Sequence, residues 1–261
     1  MNIYGIINKL ASLGNISPAE LCVAAMILFI ASVVRGLTGF GFSAILVTGL
    51  SLILLPAQTV VLALLLEIAA SIHLLPSAWK NINWPLLGVL WLGFLVGTPI
   101  GVFLLAYLDP DVMRLVISIM VLSFALLLLN GFSYSGPRTF PVHSGVGLLS
   151  GICNGTAALG GLPIVTFLLS TQARVESTRA TLIAVFLGTD IYALSLAGGH
   201  GMVSNTEMVY AMISLPLVIG GVSVGKRLFT MARPSLFKRL AILLLVGLSL
   251  TGIIRGLAGA F

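Results

Sequence analysis

The sequence predicts an all-α polytopic membrane protein made of two inverted repeats, each a broken or re-entrant helical hairpin plus three transmembrane helices. Three observations carry this expectation. The composition is too apolar for water, long hydrophobic segments alternate with turn residues, and a set of motifs recurs once along the chain.

Of 261 residues, 59% are hydrophobic and 8% are charged, and the mean hydropathy is +1.17. A soluble domain carries roughly 25% charged residues, so the lipid bilayer must act as the solvent. The apolar runs are continuous rather than alternating, which argues against a membrane β-barrel. The net charge of +6 comes from 13 basic residues scattered singly between apolar runs. Cytoplasmic loops explain such a pattern, and no nucleic-acid partner is expected. Cys22 and Cys153 both lie in apolar stretches and form neither a metal spacing nor a disulfide framework. No signal peptide is expected, because a basic region, apolar core and cleavage site do not follow in order.

Along the chain, residues 1–16 place Ile3, Ile6, Ile7, Leu10 and Leu13 on one helical face. That stripe suits an interfacial helix. The first transmembrane repeat, 17–131, holds apolar segments at 18–34, 40–55, 58–79, 84–107 and 111–130. The second, 140–261, holds them at 141–153, 157–170, 176–198, 205–229 and 235–256. Turn residues separate them at Leu55-Pro56-Ala57-Gln58, Asp109-Pro110-Asp111, Gly136-Pro137 and Arg233-Pro234-Ser235. Trp79, Trp84 and Trp91 cluster near one junction, as in an aromatic belt or in ordinary packing.

The repeat emerges when the halves are superposed. Gly97-Thr98-Pro99-Ile100-Gly101 matches Gly221-Val222-Ser223-Val224-Gly225, and the same shift of 124 pairs Pro110 with Pro234 and Arg114 with Lys238. Near the front, Gly39-Phe40-Gly41-Phe42 falls over Leu159-Gly160-Gly161-Leu162 at a shift of 120. The basic loops hold Lys80, Arg138, the 174–179 stretch, and the cluster of Lys226, Arg227, Arg233, Lys238 and Arg239. With those loops cytoplasmic, equivalent loops of the two repeats fall on opposite sides of the membrane. This requires 141–170 to begin and end on one side. At ~1.5 Å per residue, neither 141–153 nor 157–170 comfortably crosses a core of about 30 Å. Both 141–170 and, by symmetry, 18–55 therefore read as hairpins broken near mid-membrane, with two short spans as the alternative.

The breaks hold the candidate site. Arg35, Gly36, Leu37, Thr38, Gly39, Phe40 and Gly41 put three glycines beside an arginine inside an apolar stretch, and Asn154, Gly155, Thr156, Gly160 and Gly161 repeat the theme. Irregular backbone at membrane depth survives only where protein or a wet cavity satisfies it. Helix N-termini exposed there favour anions. Arg35 is the sharpest single residue: a charge within a membrane segment is costly and functional by default, and its planar fork suits an oxyanion. Structural pairing with a carboxylate is the plain alternative. Arg179 is either a second anion contact or a cytoplasmic anchor. Glu67 and Asp190 are 123 residues apart and buried by pattern. They are coupling candidates, as proton relays or as neutralising partners of Arg35 and Arg179. Small-xxx-small spacing, as in Gly93, Gly97 and Gly101 or Gly147, Gly151 and Gly155, serves close helix approach and leaves a homodimer open.

At these breaks the sequence resembles a known family. The run Arg35 to Phe42 followed by Pro56, the segment Leu159-Gly160-Gly161-Leu162-Pro163-Ile164-Val165, and Arg179-Ala180-Thr181-Leu182 resemble motifs of the sulfite exporter TauE/SafE family. The family's glycine triplet is reduced here to Gly-Phe-Gly and to a glycine pair. The resemblance implies export of sulfite, sulfoacetate or a related organosulfonate across the bacterial inner membrane. From the residues alone, the leading function is a secondary transporter that holds a small anion at the paired breaks. An anion channel and a structural membrane subunit are the alternatives. No nucleotide-binding loop, catalytic triad or metal motif is present, so neither an enzyme nor a cofactor nor a metal is expected.

Overall fold

The computed structural model describes residues 17–38, 41–132, 134, 136–137, 139–168, 175–231 and 234–260. The interfacial helix expected at 1–16 lies outside them, as do Gly39 and Phe40 of the candidate site.

Ten α-helices make up the described residues. In the first half they are α1 (Pro18–Thr38), α2 (Phe42–Leu50), α3 (Pro56–Ala78), α4 (Trp84–Tyr107) and α5 (Pro110–Leu129). In the second they are α6 (Phe140–Ala157), α7 (Gly161–Leu168), α8 (Val175–Gly199), α9 (Asn205–Met231) and α10 (Pro234–Ala260). Six of them are long and apolar enough to cross a membrane. Helix starts follow local chemistry. Pro56 and Pro110 occupy the first turn, where a missing N–H costs nothing. Asn83 caps α4 by accepting from Leu86 N at 3.2 Å, and Asp109 caps α5 by accepting from Asp111 N at 2.9 Å.

The two breaks are stops of different build. Gly41 precedes α2 with φ +85°, a conformation that only glycine adopts cheaply. Ala158 ends α6 in the left-handed region at φ 55°. There Ala158 N donates to Asn154 O and Leu159 N to Cys153 O, so the chain stops with its carbonyls satisfied.

At each break the chain turns back, so that the second helix packs along the first. Gly49 of α2 sits against Ile27 of α1, and Gly41 against Val34. In the second hairpin, His143 at the start of α6 meets Phe167 at the end of α7, with ring centroids 5.3 Å apart. At α2's C-terminus, Arg114 Nε donates to Ser51 O at 2.7 Å and Arg255 donates to Leu52 O, so two cations face the negative end of the helix.

Contacts between halves exceed those within them. The most extensive interface joins α4 to α6, followed by α1 with α9 and α5 with α10. Exchanging the halves turns the α4–α6 pair into α9–α1 and maps α3–α8 and α5–α10 onto themselves. The glycines explain the closeness. A Cβ on Gly97 would overlap Leu148 O and one on Gly101 would overlap Ile152 O, while Gly225 meets Val33 O and Gly36 meets Val222 O in the same manner. These glycine faces, which left a homodimer open, are therefore covered within the chain.

Helix boundaries also fix the register between halves. The ends of α1 and α6 (38 and 157), the starts of α2 and α7 (42 and 161) and the starts of α3 and α8 (56 and 175) are all 119 residues apart. The glycine contacts and the starts of α5 and α10 (110 and 234) are 124 apart. The front shift is thus 119 rather than the 120 expected from the glycine motifs, and Asn154 becomes the counterpart of Arg35.

Replacing Gly97 with Val is expected to lower the melting temperature in detergent by more than 5 °C, because backbone blocks relief of the overlap. Gly88→Ala, where a Cβ meets nothing within 4 Å, should leave it unchanged or slightly higher, since alanine is the better helix former. Thermal unfolding of the two variants side by side checks this.

Candidate functional site

Helices α3 and α8 cross at the centre, and the side chains they send toward the hairpins make the polar core. Glu67 of α3 and Asp190 of α8 are 3% and 1% exposed, and Arg35 of α1 is 0% exposed. An isolated charge here would cost many kcal/mol, so partners are obligatory. Arg35 Nη2 lies 3.1 Å from Glu67 Oε1 and donates to Ser71 Oγ at 3.2 Å. Its Cζ sits 4.5 Å from the centroid of the Phe186 ring, within cation–π range. Glu67 also accepts from Ser43 Oγ at 3.4 Å.

The second half repeats the design without the charge. Asn154 Nδ2 donates to Asp190 Oδ1 at 3.1 Å, and Asn154 Oδ1 accepts from Gly160 N at 3.3 Å. Both Arg35 with Ser71 and Asn154 with Asp190 are 36 residues apart. Asp190 therefore stands opposite Ser71 in the repeat, and Glu67 opposite Phe186. The expectation that the two carboxylates hold equivalent places fails on this register. Asp190 Oδ2 is buried with no hydrogen-bond partner.

Both hairpin breaks line one small cavity of about 10 Å³. Gly41, Ser43 and Ala44 come from the first and Ala158, Leu159, Gly161 and Leu162 from the second, with Glu67 and Phe186 forming the walls. A void of that size holds about one water. The first-turn N–H groups of α2, which have no acceptor inside the helix, start at this cavity. Its counterpart α7 offers fewer, since Pro163 lacks an N–H and Leu162 N donates to Leu159 O. Phe186 is the plug, because its ring fills the space that a side chain at position 161 would take.

The sequence-derived residues separate into groups. Arg35, Gly41, Glu67 and Gly161 meet at or beside the cavity, and Asn154, Gly160 and Asp190 form the neighbouring buried cluster. Gly155 and Thr156 turn toward α4 instead: Gly155 faces Thr98 O, and Thr156 Oγ1 donates to Gly101 O at 3.4 Å. Arg179 reaches over from α8 and donates to Gly36 O at 3.0 Å, next to Arg35. The side chain of Thr38 lies outside the described residues. Ser43, Ser71 and Phe186 were missed by sequence reasoning, because no local motif marks them. Among the described residues, no cluster of metal-ligating side chains occurs.

A multi-pass helical bundle with a charged, glycine-bounded cavity at its centre is the form of a membrane transporter. The family model "Sulfite exporter TauE/SafE" matches residues 24–252. The chain belongs to this family, which is one of transporters rather than enzymes. A curated relative, the probable inner membrane transporter protein TsaS of Comamonas testosteroni, is 26% identical over 196 residues, covering 73% of this chain and 81% of the relative. No solved structure matches.

Breaking the buried ion pair from one side should cost roughly 3–5 kcal/mol. Arg35→Ala and Glu67→Ala are each expected to lower the melting temperature strongly. The double substitution should recover part of the loss, because neither charge is then left alone. A double-mutant cycle on thermal unfolding measures the coupling.

Proposed function

We propose that this chain exports a small sulfur-containing anion, such as sulfite, sulfoacetate or a related organosulfonate, across the bacterial inner membrane by alternating access. The observation that carries the reading is a cavity lined by both hairpin breaks, with a buried arginine beside it. Arg35 would hold the oxyanion through its fork of donors, aided by the N-terminal turn of α2. The family supports the substrate class, and the relative's name supports the inner membrane as location.

The fold reading behind this is an inverted repeat, with units at 17–131 and 140–261. A hairpin that returns to its own side plus three crossings is an odd number of passages, so the second unit starts on the side opposite the first. The basic residues support this arrangement. Lys80, Arg179 and Lys226 fall at the end that holds the starts of α4, α6 and α8, against Arg114 and Arg255 at the other, and the first end is then cytoplasmic. The other end holds the starts of α1, α3, α5 and α9. A central cavity too small for an oxyanion favours a carrier, which must occlude its site, over a channel with a standing pore.

Glu67 is the stronger coupling candidate. It competes with the substrate for Arg35, and a proton on Glu67 would free the guanidinium for an anion. Asp190 is the second candidate, held by a neutral amide only.

In proteoliposomes, the Arg35→Ala/Glu67→Ala protein is expected to fold and to carry sulfite and sulfoacetate at less than a tenth of the wild-type rate. Sulfate and taurine serve as comparison solutes. Wild-type-like flux by the double variant, or no flux of any sulfur oxyanion by wild type, overturns the site. Glu67→Gln should retain exchange of labelled substrate yet lose the response of net flux to an imposed pH gradient. A pH-gradient response equal to wild type would remove Glu67 from coupling.

A further inference from the structure

A second cavity, of about 160 Å³, opens at the basic end between α3, α8 and α9. Ser77, Asn81, Glu176, Arg179 and Lys226 supply its polar lining. The cations form a ladder of depth: Lys226 is exposed, Arg179 is half-buried, and Arg35 beyond it is sealed. Arg179 bridges the last step by bonding Gly36 O, adjacent to Arg35. Glu176 offsets one charge and leaves the lining net positive. A sulfur oxyanion needs roughly the volume of two or three waters, ~60–90 Å³, and so fits this cavity but not the central one.

The register between halves shows what stands at the opposite end. Counterparts of Arg179, Ile183, Leu74 and Ala78 at 119 residues, and of Lys226 at 124, are Val60, Leu64, Ala193, Ala197 and Val102. All five are apolar and at most 1% exposed. These five positions are thus packed shut and uncharged at the other end, while Leu196, His200 and Ala57, the counterparts of Ser77, Asn81 and Glu176, stay at least partly exposed.

We propose that the cavity at Arg179 and Lys226 is the cytoplasmic loading site for the anion, and that the plug formed around Val60, Leu64 and Ala197 is the closed outer gate. This rests on the transport reading above. Lys226 and Arg179 concentrate the anion by its charge and pass it to Arg35. None of the five outer positions carries a charge, and the cations at that end, Arg114 and Arg255, are bonded to Ser51 O and Leu52 O, so the outer positions offer the anion no comparable pair of cations. Exposed cations in a cleft raise the capture rate in a salt-dependent way.

Two measurements test the proposal. In membrane vesicles of opposite orientation, Lys226→Gln should raise KM at least fivefold for sulfite or sulfoacetate presented from the cytoplasmic face. KM from the opposite face should be unchanged. Raising ionic strength should mimic the substitution on the cytoplasmic face alone. An equal change on both faces, or none, overturns the proposal. The second measurement needs no transport, so it separates failure of the loading site from failure of the export reading. In a protein with Cys22 and Cys153 replaced by Ser and Ala, Ser77→Cys is labelled from the cytoplasmic face with anionic or cationic methanethiosulfonates. The anionic reagent should react severalfold faster, and Lys226→Gln should erase the preference. A cationic reagent that reacts equally fast or faster overturns the loading site even if the protein carries anions.

Discussion

Backbone that leaves the helix inside a bilayer has no water to bond with, and nearly everything in this structure answers that constraint. Two helices stop inside the bundle, α1 at Thr38 and α6 at Ala157, and their ends must be walled in by protein. The walls come from the other half: α9 lies along α1, and α4 along α6. Contact that close is open only to helices with glycine at the crossing, and a Cβ at Gly36, Gly97, Gly101 or Gly225 would overlap a partner carbonyl.

The same enclosure makes a buried arginine tolerable. Arg35 satisfies itself with Glu67, Ser71 and the Phe186 face, a set drawn from α3 and α8. The counterpart at Asn154 keeps the geometry and discards the charge. The buried polar core thus draws a cation from the first half and from the second a neutral amide bonded to a carboxylate.

Much of this was legible in the sequence. Composition settled the solvent, turn prolines placed the helix starts at Pro56, Pro110 and Pro234, and an arginine beside three glycines marked the centre. Other parts were not legible, for definite reasons. Glycine spacing gave a front shift of 120 because glycines near a break have two roles, ending a helix or admitting a neighbour, and sequence does not separate them. Gly155 belongs to the second role and Gly41 to the first. The equivalence of Glu67 and Asp190 failed for a related cause, since the lengthening that separates the two shifts occurs beyond them, between α8 and the glycines of α9. Ser43, Ser71 and Phe186 had no local signature, and their importance comes only from what they face.

The exchange of helices between halves has a consequence for biogenesis. Helix α1 leaves the ribosome well before its glycine-lined partner α9, which begins at Asn205. Until then a hairpin carrying an arginine waits in the membrane with one face uncovered. Contacts this distant in sequence form late and slowly. Premature termination before α9 would keep the charge partners of Arg35 on α3 and α8 but leave the glycine face of α1 at Gly36 without the helix that packs on it.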